Sequence, residues 1–107
     1  MILSGYRIMW MFTFFDLPVK TKQQRRLATQ FRTSLLDLGF TMVQYSVYAR
    51  PCNRESDIRI IKQIEFELPP KGKVNIFSIT DKQYAAMMVY RNLNQELVEI
   101  PEQFTLF

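Results

Sequence analysis

Histidine is absent from this chain of 107 residues, and cysteine occurs once, at Cys52. The first absence removes a Cys-His nucleophile, a Ser-His-Asp triad and any histidine-bound zinc site from within the chain. The lone thiol excludes an internal disulfide and fits a reducing, cytoplasmic setting; with no histidine to activate it, Cys52 reads as a half-buried small residue. Catalysis, if any, is left to carboxylates, hydroxyls or a metal held by oxygen. Long apolar runs are missing too. Met1 to Phe15 is greasy, but Arg7 interrupts it, the run is too short to cross a bilayer, and Asp16-Leu17-Pro18 follows where a small-residue cleavage site would stand. The chain also lacks a Gly/Ser linker, a low-complexity tract and an internal repeat, so it reads as one soluble domain with no membrane partner.

What is present is apolar and mildly basic. A hydrophobic fraction of 48% with 14% aromatics is generous for so small a body. It leaves apolar surface seeking a second molecule, so a homodimer is expected. The net charge of +4 and pI near 9.4 fit a partner that carries phosphates.

The chain is organised around Tyr6 to Phe15, where bulky residues fill both alternating sets, as in a central strand covered on both faces. Asp16 stands at its mouth, where the backbone leaves the sheet and a side chain can be held rigidly at the surface. Thr21-Lys22-Gln23-Gln24 has capping-box spacing and opens a helix. Leu27, Phe31, Leu35 and Leu38 share one face of it, and Gly39 stops it. Lys20, Lys22, Arg25, Arg26 and Arg32 occupy the entry turn and the opposite face. Phe40 to Tyr48 is extended, and both one bent strand and two short strands reversing near Gln44 to Ser46 fit it.

Asn53 can cap a second helix whose apolar positions are Ile58, Ile61, Ile64 or Glu65, and Leu68, closed by Pro69-Pro70. Val74 to Ile79 is an alternating strand, Thr80-Asp81-Lys82-Gln83 repeats the capping spacing for one short turn, and Met87 to Arg91 returns to extended character. The order fits an α+β, ferredoxin-like βαββαβ plan, with the helices on one face of an antiparallel sheet. Residues 1–91 form that domain. Residues 92–107, with Phe104 and Leu106 near the end, read as an apolar arm that needs covering by the partner subunit or another protein.

The order of elements and four stretches carry a family likeness by their order and spacing: the apolar first strand ending in Phe14-Phe15-Asp16-Leu17-Pro18, then Gln44-Tyr45-Ser46-Val47-Tyr48, Leu68-Pro69-Pro70-Lys71-Gly72 and Ile79-Thr80-Asp81-Lys82-Gln83. Together they resemble the Cas two family, the small CRISPR-associated protein of spacer acquisition, and look closest to members from type II loci. The resemblance covers the chain to about Arg91. It implies a homodimer whose additional C-terminal strand is exchanged onto the neighbouring sheet, set between dimers of the Cas one integrase and holding double-stranded protospacer DNA. It also implies, for some members, a metal-dependent endonuclease acting on single-stranded RNA or double-stranded DNA, in which Asp16 would be the catalytic and metal residue, facing its mate across the dimer axis with Mg2+ or Mn2+. Many relatives described as nucleases carry an arginine where this chain has Met42. The departure weighs against hydrolysis, because a transferring phosphoryl group needs positive charge.

Each residue also has a plainer role. Asp16 can simply order its loop by accepting backbone N–H bonds, and a cationic helix face is usually just solvated. The cluster Lys20, Lys22, Arg25, Arg26 and Arg32 has no aromatic interleaved in sequence, so the expectation is contact with the nucleic-acid backbone without sequence readout. Tyr45, Val47 and Tyr48, with Phe104 and Leu106, are assigned to core or dimer interface, and Ser46 to local hydrogen bonding.

Overall fold

The computed structural model describes residues 8–91. The elements run β1 (Met9–Asp16), α1 (Lys22–Asp37), β2 (Thr41–Gln44), β3 (Val47–Cys52), α2 (Arg54–Phe66), β4 (Lys73–Thr80) and α3 (Asp81–Ala85). The strands form one sheet in the order β2-β3-β1-β4, and every neighbouring pair is antiparallel. This is the ferredoxin-like arrangement of interlocked split βαβ units, with β1 in the centre as its sequence foretold. No helix among the described residues is long and apolar enough to cross a membrane.

Capping chemistry sets the helix starts. Thr21 and Gln24 close a reciprocal box before α1, and Thr80 and Gln83 repeat it before α3. Asn53 opens α2, with Ser56 answering it. Gly39, at φ +94°, takes the left-handed conformation that ends α1 without a Cβ penalty. The Arg50 guanidinium reaches the Leu38 carbonyl there, so a cation lies where the helix's last carbonyls concentrate negative charge.

Alternation in β1 divides its side chains between two layers. Met11 and Phe15 enter the helix-side core with Phe31, Leu35, Tyr48, Ile60 and Ile64. Within it, the Phe15 ring meets Phe31 edge-on and stacks on Tyr48, at centroid distances of 5.2 Å and 5.8 Å. The even-numbered residues Trp10, Phe12, Phe14 and Asp16 occupy the other face. There Tyr84 of α3 packs edge-on against Trp10 and Phe12, and Trp10 Nε1 donates to the Asp81 carboxylate. The short helix therefore covers only the Trp10 end. At the Asp16 end, Phe14 is 39% and Phe77 44% exposed, so β1 is not sealed on both faces within one chain.

Of the two alternatives left open for residues 40–48, the structure takes two strands, with the reversal at Tyr45 and Ser46. Other expectations need correcting. The buried stripe of α2 is Ile60 and Ile64, while Ile58 is 65% exposed and Leu68 lies past the helix end. Apolar residues on both sides of α2 fitted two helical phases, and only the sheet's position selects one. Along α1, Ala28 is buried beside Phe31 and Leu35, and Leu27 is only half-buried. After α3 the described chain shows a single bridge residue, Val89, in place of a strand. The expected arm, with Phe104 and Leu106, lies outside the described residues.

Cys52 is more deeply buried than expected, at 8% exposure. Burial, reinforced by the neighbouring Asp57 carboxylate, pushes its thiol from 9.0 up to about 12. A folded-state pKa raised above the unfolded value contributes stability that is complete below the unfolded value and lost as pH rises toward the folded one. The native thiol should thus resist alkylation at pH 8 and react at the unfolded rate only in denaturant, and stability should decline above about pH 9. Labelling with iodoacetamide in native buffer and in urea, with a pH series of melts, checks both.

Candidate nucleic-acid interface at the Asp16 end of the sheet

Asp16 ends β1 on the half-covered face, exposed, directly opposite Lys73 in the β1–β4 register. The carboxylate therefore has a cation on the neighbouring strand and the rings of Phe14 and Phe77 behind it; these two rings meet edge-on at 5.8 Å. The backbone around it is tightly set. Gly72, at φ +102°, passes so close that an added Cβ would lie 2.8 Å from the Asp16 carbonyl oxygen and 2.8 Å from Leu17 Cδ2. Gly72→Ala should cost about 2 to 3 kcal/mol, combining the left-handed backbone with steric overlap. A urea titration checks this; an unchanged midpoint would mean that the turn relaxes freely.

The β2–β3 turn meets the same end of the sheet. The Phe15 N–H donates to the Ser46 carbonyl at 3.1 Å, so Ser46 lies beside Asp16 within a single chain. Ser46 takes φ +65°, unusual for a residue with a side chain, and the turn leaves Tyr45 73% exposed. The three residues grouped as core or interface in the sequence separate here. Tyr48 is 3% exposed inside the helix-side core, Val47 is half-buried on the opposite face, and Tyr45 projects at the turn. The burial of Tyr48 removes it from any surface a partner subunit could touch.

The basic residues divide as well. Lys20, Lys22 and Arg26 are exposed at the start of α1. Arg25 is exposed but fastened, its Nη1 donating to the Val19 and Lys20 carbonyls at 3.1 Å each, which fixes the loop between β1 and α1. Arg32 donates to Thr29 Oγ1, and its guanidinium carbon lies 5.9 Å from the centroid of the Tyr45 ring. An aromatic does therefore stand among the cations, supplied from a turn distant in sequence.

A divalent ion demands more oxygen ligands than Asp16 provides. Among the described residues no group of three or more His, Cys, Asp or Glu side chains could hold a metal. The described residues of one chain alone do not fit such an ion. The apolar cleft of about 260 Å³ between Leu17, Pro18, Leu27, Ala28, Pro69 and Pro70 lies nearby, and Asp16 does not line it.

Comparison with known proteins decides the family. The family model described as CRISPR associated protein Cas2 matches residues 9–87. A protein of Paracidovorax avenae named CRISPR-associated endoribonuclease Cas2 is 48% identical over 99% of this chain and its own full length. The chain belongs to the Cas2 family. A Flavobacterium psychrophilum protein of the same name is 40% identical, covering 94% of this chain and 89% of its own. A Ligilactobacillus salivarius relative is 47% identical over 68% of this chain and 73% of its own. The Cas2 match spans every strand of the sheet and ends just beyond α3. Membership confirms the likeness carried by the motifs around Asp16 and Tyr45.

Proposed function

We propose that the chain is a CRISPR adaptation subunit: a homodimeric scaffold that bridges dimers of the Cas one integrase and grips protospacer DNA by its backbone. The observation that carries this reading is the half-covered sheet face. Phe14 and Phe77 remain exposed between Asp16 and the part sealed by α3, and a second copy meeting this face would bury them. Lys20, Lys22 and Arg26 would then be doubled into a phosphate track, with Arg25 holding the shape of its loop. Such contacts position a duplex without reading sequence.

A second reading is a magnesium- or manganese-dependent endonuclease of single-stranded RNA or double-stranded DNA; the relatives' printed name, CRISPR-associated endoribonuclease, supports its RNA-cleaving part alone. Asp16 from each of two copies would hold the ion, which supplies activation of water and stabilisation of the leaving oxygen. Asp16→Ala separates the two readings. In a mixture with the cognate integrase, a prespacer duplex and a repeat-containing target, the scaffold reading expects integration at the wild-type level. The nuclease reading expects metal-dependent cleavage by the wild type, lost at least a hundredfold in the variant. Loss of integration in a variant that still dimerises would overturn the scaffold reading as stated.

A further inference from the structure

Charge is scarce on the two strands that meet at Asp16. β1 and β4 have eight residues each, and each strand holds one charged side chain, Asp16 and Lys73. The register sets these two directly opposite one another at the last rung of the pairing. Both are exposed, and they share a face with Phe14 and Phe77, because opposed residues of an antiparallel ladder point the same way and alternate residues return to the same side. Lys71, the cation before it in the chain, lines the two apolar clefts beside Pro69 instead.

The residue before Lys73 fixes its place. Gly72 lies so close to the Asp16 carbonyl and to Leu17 that no Cβ fits between them, so the chain enters β4 pressed against the end of β1. A slip of one residue would set Val74 opposite Asp16. Closing the half-covered face against a second copy then takes Asp16 toward an interface. It stands two residues from Phe14, at the margin of the apolar surface that such a contact buries, where a carboxylate loses water it needs. Two copies bring two such carboxylates. The double positive charge that one divalent ion would bring is already present as two ammonium groups, and among the described residues no three acidic, His or Cys side chains gather to hold an ion.

We propose that Lys73 is the resident counter-ion of Asp16 in the dimer, in the place a divalent cation would take. This role depends on the dimeric reading above and runs against the ion-binding one. Lys73 acts as a positioning residue: it lets the two copies close around Asp16 in the absence of metal, and an ion settles on Asp16 only by displacing it. The two partners differ in what they can do alone. A lysine on an edge strand carries a stranded charge to water along its flexible stem, whereas the short aspartate side chain cannot. Removing the ammonium is therefore costly, and removing the carboxylate is not.

Sedimentation in EDTA, and then with millimolar Mg2+, tests this on the wild type, Lys73→Met, Asp16→Asn and the double variant. The wild type should dimerise equally in both buffers. Lys73→Met should raise the dissociation constant about tenfold in EDTA, and Mg2+ should restore it by taking the vacated place. Lys73→Arg should behave as the wild type. Asp16→Asn should also stay near the wild type, and adding it to Lys73→Met should recover the loss, as the coupling of a true pair requires. Mn2+ binding, read by electron paramagnetic resonance, should be about tenfold tighter for Lys73→Met than for the wild type, because the competing cation is gone. A wild type that dimerises only with Mg2+, or a Lys73→Met dimer as tight as the wild type in EDTA, would overturn the proposal while the dimer stands. So would a Lys73→Met chain whose urea midpoint falls while its dissociation constant does not, since the pair would then only pin the sheet register. A wild type that stays monomeric in both buffers would bring down the dimeric reading as well.

Discussion

If the proposed homodimer forms through the half-covered sheet face, Phe77→Asp should convert it into a folded monomer. Phe77 is 44% exposed, stacks on Phe12 at 5.2 Å and meets Phe14 edge-on, so its ring belongs to the part of the sheet that α3 does not reach. Within one chain the change removes part of a ring stack and costs about 1 kcal/mol. In a symmetric pair every loss is doubled, and a carboxylate is brought to an apolar contact without a partner. The expected loss of association free energy is about 3 to 6 kcal/mol, raising the dissociation constant a hundredfold or more. Sedimentation across a concentration series reads the change, and Ile58→Asp is the control. Ile58 is more exposed still, at 65%, but lies on α2 on the other side of the sheet, so its replacement should leave the dimer intact. A Phe77→Asp chain that still sediments as a dimer would place the contact elsewhere and remove the main support for a continuous cationic track.

The second large effect is on DNA binding. Lys20, Lys22 and Arg26 are exposed, so the proposed dimer would offer a duplex roughly six phosphate contacts, with Arg25 engaged by the loop carbonyls and Arg32 by Thr29 and Tyr45. Each contact releases condensed counterions, and six of them give a slope of about −5 in log affinity against log salt. Affinity for a blunt duplex should fall about a thousandfold between 50 and 200 mM salt. Replacing Arg26 by Ala in both protomers should reduce the slope by about 2 and weaken all sequences alike. A shallow slope, or discrimination between sequences by the blunt duplex, would show that contacts other than phosphate pairing dominate.

How far each feature could be read from the sequence depended on the range of the interaction behind it. The capping boxes at Thr21 and Thr80, the stop at Gly39 and the central place of β1 were legible because they depend on residues a few positions apart or on one uninterrupted pattern. Asp16 was identified as a surface carboxylate for the same reason: a strand that ends in Asp-Leu-Pro has to leave the sheet there. The family likeness belongs to this class, since its motifs are short and fixed in order, and the match over residues 9–87 agrees with it.

The phase of α2 could not be read this way, because Ile58, Ile60, Ile61 and Ile64 satisfy more than one helical face until a sheet is present to choose between them. Nor could the fates of Tyr45 and Tyr48, which alternate across the turn in similar surroundings, yet one packs on Phe15 and the other projects beside Arg32. The sequence alone determined where segments begin and end, that the chain lacks histidine chemistry, and that it has more apolar surface than one small body can hide. The tertiary structure alone decided which cation is fastened, which aromatic is exposed, and that Ser46, Lys73 and Gly72 gather around Asp16. Those outcomes depend on contacts between residues up to several tens of positions apart, and such contacts exist only once the strands have paired.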